Sequence, residues 1–204
     1  MHGLIARTLQ CFLQDTYGHP AWQDITTAAI FEAGDFEAML DYDTRTVEGV
    51  LDAAVAHLDK PRDAMLEDIG TYLITHPHNE GLRRLMRYGG VDFIDFLHSL
   101  EDLPGRAQLA VSDLVLPELE LSDSSPGQFL LSCLRSQREM PGFGHVLVGV
   151  LRAMADDYGA LVTLDHRGVL DGAEIIDITV VEASFSEGRA FELGAVLPPR
   201  QVVS

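Results

Sequence analysis

The run Phe96-Leu97-His98-Ser99-Leu100-Glu101-Asp102-Leu103-Pro104-Gly105 divides this chain into two kinds of sequence. Before it, apolar residues recur at helical spacing. After it, they come in short runs separated by turn residues. Leu97, Leu100 and Leu103 continue an apolar stripe that starts at Val91 and Ile94, the mark of a helix with one buried face. Pro104 then removes a backbone N–H and pushes Leu103 away from helical angles, and Gly105 follows. The expectation is a helix that stops near Asp102.

Toward the amino terminus the helical period holds. Leu4, Ile5, Leu9, Phe12, Leu13 and Tyr17 make one face, ended by Gly18, and Pro20 opens a short second helix carrying Trp22 and Ile25. Val47, Val50, Leu51, Ala54 and Leu58 form the next stripe. Pro61 starts a further helix through Met65, Leu66, Ile69, Leu73 and Ile74, and Pro77 breaks it. Asn79 is the expected N-cap of a helix through Leu82, Leu85 and Met86, closed by Gly89-Gly90.

Toward the carboxy terminus, residues 116–121 and 129–134 read as strands around a turn-rich 122–127, and a helix is expected over about 143–158, stopped by Gly159. Residues 161–164 and 175–181 read as two more strands, with Arg167-Gly168 and Asp171-Gly172 marking turns. The pattern implies an α+β domain: an amino-terminal helical subdomain (about 1–104) packed on a carboxy-terminal mixed antiparallel sheet with one long helix (about 112–185). Residues 1–185 read as a single domain, and 186–204 as a weakly structured tail.

The chain has 204 residues, 47% hydrophobic and 23% charged, enough for one large core. No apolar run has the length of a membrane span, and Met1-His2-Gly3-Leu4 has no signal-peptide pattern, so the reading is cytoplasmic. Fourteen basic residues against 32 acidic ones leave a formal charge of -18. Such a surface repels phosphate backbones and anionic lipid, which argues against nucleic-acid and membrane partners. Cys11 and Cys133 are the only cysteines and form no C-x-x-C pair, so no structural zinc pattern is present. No P-loop, G-x-S-x-G, H-E-x-x-H or G-x-G-x-x-G occurs, and the chain does not read as an enzyme.

Several short motifs fall in a telling order. Met1-His2-Gly3-Leu4-Ile5 opens the chain, and Tyr17-Gly18-His19-Pro20-Ala21-Trp22 follows. Next come Phe96 to Leu103, then Pro117, then Leu134-Arg135-Ser136-Gln137-Arg138, then an apolar run from Val146 to Val150 with Gly149 inside. Together they resemble the heme–nitric oxide/oxygen binding (H-NOX) family, which includes the sensor domain of soluble guanylate cyclase, over roughly residues 1–185. The resemblance implies heme b held between the helical and sheet parts. Ser136 and Arg138 would grip its propionates, Pro117 would pack on its face, and Leu134 with Ile5, Leu9, Leu73, Leu97, Leu100 and Val146 would line the pocket. It further implies nitric oxide sensing and signalling to a separate partner, such as a histidine kinase or a cyclic-dinucleotide enzyme.

Two departures stand out. The family's axial histidine falls on Pro104, and Leu134 replaces the motif tyrosine. Thirty residues separate the two positions, as the family spacing requires. An imidazole binds iron through a nitrogen lone pair; a proline within a chain has no donor atom to offer. His98 lies on the same helix but points about 120° away from the lost direction. His76 and His78, with His145, stand near where the family builds its distal wall, and are the alternative metal ligands. Val146 occupies the place of a tyrosine found in oxygen-binding members, so nitric oxide or carbon monoxide would be favoured over oxygen. The alternative function is a degenerate member without heme. It would bind another hydrophobic small molecule, with Arg138 meeting an acidic group, or act only as a protein-interaction module.

Overall fold

The structure is a computed structural model that describes residues 1–32, 34–134 and 141–189. Helix α1 (Gly3–Ala28) starts from an imidazole cap: His2 Nδ1 accepts the Leu4 N–H at 3.1 Å. The boundary expected at Gly18 appears as a kink, with φ 87° and ψ 162°. That is left-handed space which glycine enters freely, and Pro20 sits in the first turn after it, where a missing N–H costs nothing.

Helix α2 (Thr44–Leu58) is capped by Asp43, and α3 (Arg62–Thr75) follows Pro61. A 3-10 turn over Pro77–Asn79 leads into α4 (Glu80–Arg87). Asn79 does not cap α4 with its side chain; its amide reaches back to the Tyr72 carbonyl at 3.3 Å.

The deciding run departs from expectation. Helix α5 (Phe93–His98) passes into a 3-10 turn over Ser99–Asp102, and then into α6 (Leu103–Ala110). The chain therefore does not leave helical geometry near Asp102. Pro104 falls in the first turn of a new helix, where its N–H would have had no partner. The helical part thus continues to Ala110, past the expected boundary at 104. The buried face is Phe93, Phe96, Leu97, Leu100 and Leu103, whereas Val91 is 90% exposed.

The sheet comprises β1 (Glu118–Ser125), β2 (Gln128–Leu134), β3 (Leu161–Leu170) and β4 (Ala173–Glu182), in the order β1-β2-β4-β3 with each ladder antiparallel. Residues 122–125, expected in a turn, belong to β1; Pro126-Gly127 alone makes the reversal. Helix α7 (Phe143–Tyr158) is the long helix, closed by Gly159 at φ 74°. The architecture is α+β as expected.

Buried side chains form two clusters. Phe96, Leu97 and Leu100 pack with Leu131, Ile176, Leu151 and Met154, joining α5 and the turn after it to the sheet and α7. Leu9, Phe12, Leu13, Leu51, Met65 and Leu66 fill the space among α1, α2 and α3, with Val146 of α7 at their edge. The α3 and α7 backbones touch where these clusters meet. A Cβ at Gly70 would overlap the Val146 carbonyl, and one at Gly149 would overlap the Glu67 carbonyl. Farther along α7, Asp157 takes the Arg83 guanidinium at 2.8 Å, with both side chains almost wholly buried. The Arg87 guanidinium lies 3.6 Å over the Tyr158 ring. None of the described helices is long and apolar enough to cross a membrane.

Candidate functional site

Position 104 sits at the opening of α6, half-buried, one residue after buried Leu103. Arg106 in the same helix ties back to the Ser99 carbonyl at 2.9 Å. The chain then runs to β1 through Asp113 and the buried Leu114 and Pro117. His2 joins this segment to the start of α1. Its Nδ1 accepts from Leu4, so Nε2 carries the proton, and Nε2 lies 3.3 Å from Asp113 Oδ2. The β1–β2 register pairs Glu118 with Leu134 and so brings Pro117 and Leu134 to one end of the hairpin. Ser136 and Arg138, the expected anion grip, lie outside the described residues, as does 190–204 of the expected tail.

The expected apolar wall is divided between the two clusters. Leu97 and Leu100 belong to the sheet-side core, while Ile5, Leu9, Leu73 and Val146 belong to the helical core. A void of tetrapyrrole size leaves its lining side chains accessible to water. Leu97 and Leu100 are 0% exposed and Leu9 is 1% exposed, so protein atoms cover them. Ile5, Leu73, Pro104 and Leu134 are only half-buried. Proline offers no donor atom, and the three leucines face no such void. The described residues therefore do not fit a heme held by a ligand at 104.

The histidines are engaged elsewhere. His98 is exposed, edge-on to Phe129 and 3.9 Å from Asp123. His76 and His78 both turn toward Asp15 of α1. His145 lies in a polar cleft of about 510 Å³ between the start of α7 and the β3–β4 hairpin. It stacks on His166 at 3.9 Å and faces Asp63 and Glu67, each at 3.5 Å.

The sequence reading missed His2, His166 and Glu174. Glu174 is buried at the edge of the cleft and accepts the N–H groups of Gly142 (3.1 Å) and Gly144 (2.9 Å). A carboxylate from β4 thus supplies the amino-terminal cap of α7, complementing the positive end of the helix. His166 completes the relay. Its Nδ1 accepts from the Gly168 N–H, so Nε2 donates to Glu174 at 3.1 Å. The only sequence hint was a glutamate directly before the apolar Ile175-Ile176 of a strand.

Comparison with known proteins adds independent findings. The profile of the Haem-NO-binding family matches residues 2–166. The Fe(II) unliganded H-NOX protein from K. algicida superposes with a TM-score of 0.74 at 15% identity, covering 94% of this chain and 100% of that one. An Fe(II) H-NOX triple mutant from S. oneidensis gives 0.74 at 14% identity, covering 90% and 97%. A mutant of the T. Tengcongensis H-NOX gives 0.71 at 14%, covering 91% and 100%. No curated protein sequence matches. The structural likeness agrees with the profile match over most of the chain: this chain belongs to the Haem-NO-binding, or H-NOX, family, whose members are sensor domains rather than enzymes.

Proposed function

We propose that this chain is a sensor-type signalling domain that acts on a separate partner protein and does not hold heme through a proximal ligand. The observation that carries the reading is Pro104 in the first turn of α6, at the position where the family resemblance places the axial histidine. The fully covered Leu97 and Leu100 support it, because their surfaces are already spent on protein contacts. A partner of the histidine-kinase or cyclic-dinucleotide-enzyme kind suits a chain whose described residues form a sensor fold. A formal charge of -18 would speed docking on a basic face of such a partner.

Titration of the purified full-length chain with hemin, followed by absorbance, tests this reading. The natural chain should show no sharp Soret band above that of free hemin. Pro104→His should gain one at a 1:1 ratio. A sharp band in the natural chain overturns the reading, and its loss in His2→Ala, His76→Ala or His78→Ala would then identify the ligand.

A further inference from the structure

We propose that Asp15, His76 and His78 form a binding site for a divalent transition-metal ion of the zinc type, on the outer side of the junction between α1 and the end of α3. This site is separate from position 104 and does not depend on how heme is held.

The local sequence builds it. Residues before proline favour extended backbone, and His76 ends α3 at φ -75° and ψ 134°. The 3-10 turn that begins at Pro77 then swings His78 round beside it. The two imidazoles lie 4.8 Å apart at 76° to each other, and both Nδ1 atoms stand 3.7 Å from the same atom, Asp15 Oδ2. The three ligand atoms lie within 4.8 Å of one another. A tetrahedral zinc with bonds of about 2.1 Å spaces its ligands roughly 3.4 Å apart. A short inward movement therefore closes the set, and His78, at 77% side-chain exposure, is free to make it.

The arrangement is not that of a settled ion pair. At 3.7 Å neither histidine hydrogen-bonds the carboxylate, and His76 Nδ1 is buried without a hydrogen-bond partner. The groups behind the ligands are, by contrast, fixed. The Tyr72 hydroxyl donates to Asp15 Oδ2 at 2.6 Å, and its ring stacks on His76 at 4.7 Å. Metal ligands are commonly oriented by such outer partners. Two imidazoles and a carboxylate without thiolate suit zinc, cobalt, nickel or copper rather than calcium or magnesium. Three protein ligands leave a position for water. The bound ion would pin α1 to the end of α3.

The test uses the untagged full-length chain, stripped of metal and titrated with Zn²⁺ against a chromophoric chelator. One equivalent should bind at micromolar affinity or tighter, and X-ray absorption should show a shell of nitrogen and oxygen only. His78→Ala and Asp15→Asn should each weaken binding at least about tenfold. His78→Ala should leave circular dichroism and metal-free melting unchanged, because its side chain is exposed. Absence of micromolar binding by the natural chain overturns the proposal. So does undiminished affinity in both variants, or sulfur in the coordination shell.

Discussion

The contact between α3 and α7 makes a prediction whose sign is the opposite of ordinary helix chemistry. On a free helix, replacing glycine with alanine adds about 1 kcal/mol of stability. At Gly149 the new Cβ would enter the space of the Glu67 carbonyl and also crowd the Thr71 nitrogen. Both are backbone atoms and cannot rotate away, so the helices themselves must separate. Overpacking of this kind costs roughly 1–3 kcal/mol, and with no flexible side chain to yield, the upper end applies. After the propensity gain is offset, Gly149→Ala should lose about 2 kcal/mol. Gly49 in α2 supplies the control, since a Cβ there meets nothing within 4 Å; Gly49→Ala should gain about 0.5–1 kcal/mol. For a chain of this size, 1 kcal/mol moves Tm by roughly 2–4 °C. Melting curves should therefore fall by about 4–8 °C for Gly149→Ala and rise by about 1–4 °C for Gly49→Ala. Gly70→Ala should behave like Gly149→Ala, and the double variant should cost less than the sum, because one Cβ already holds the helices apart. A Gly149→Ala protein as stable as the natural chain would refute the claim that these two backbones meet.

Two further perturbations probe the other end of α7. Asp157→Ala removes a buried carboxylate from Arg83 and should cost roughly 3–5 kcal/mol in urea unfolding, whereas Asp177→Ala, which releases the exposed Arg167, should cost less than about 1 kcal/mol; equal losses would contradict the burial assigned to the first pair. Burial pushes the Tyr158 hydroxyl up to about 12, above an ordinary value near 10. The folded chain then keeps a proton that the unfolded chain sheds, so this contribution is complete below pH 10 and fades as pH rises toward about 12. Tyr158→Phe should flatten stability against pH in that window, and an unchanged slope would argue that the hydroxyl is solvated.

Much of the fold could be read from local rules, because those rules act on neighbours in sequence. The long helix ends at Gly159, where a left-handed cap needs glycine, and Gly18 breaks α1 where the period also breaks. Local rules failed where a residue has two lawful uses. Pro104 can follow a helix or open one, and the 3-10 turn before it selects the second. Ser122 to Ser125 resemble a turn by composition, yet backbone pairing with β2 holds them in a strand, since strand propensity depends on context. The site was less legible still. Its polar members meet across long separations, as Glu174 does with Gly144 and His2 with Asp113, and no periodicity records such meetings. The His-Pro-His motif was visible, but its third member, Asp15, sits on another helix.

Family membership and the proposed loss of the axial ligand are compatible because contacts between protein groups tie the helices to the sheet. Helix α7 is tied at three places along its length. Glu174 caps its start from β4, Gly149 seats its middle against α3, and Asp157 anchors its end to Arg83 of α4. These ties join sheet to helices using protein atoms alone. Leu97 and Leu100 likewise spend their apolar surface on Leu131, Leu151 and neighbouring side chains, a burial worth roughly 1.5–3 kcal/mol for each leucine. A cofactor that supplied this surface would have to displace those contacts before adding its own. On the proposed reading of position 104, no metal–nitrogen bond would offset that cost, and the packing that preserves the fold would oppose heme entry.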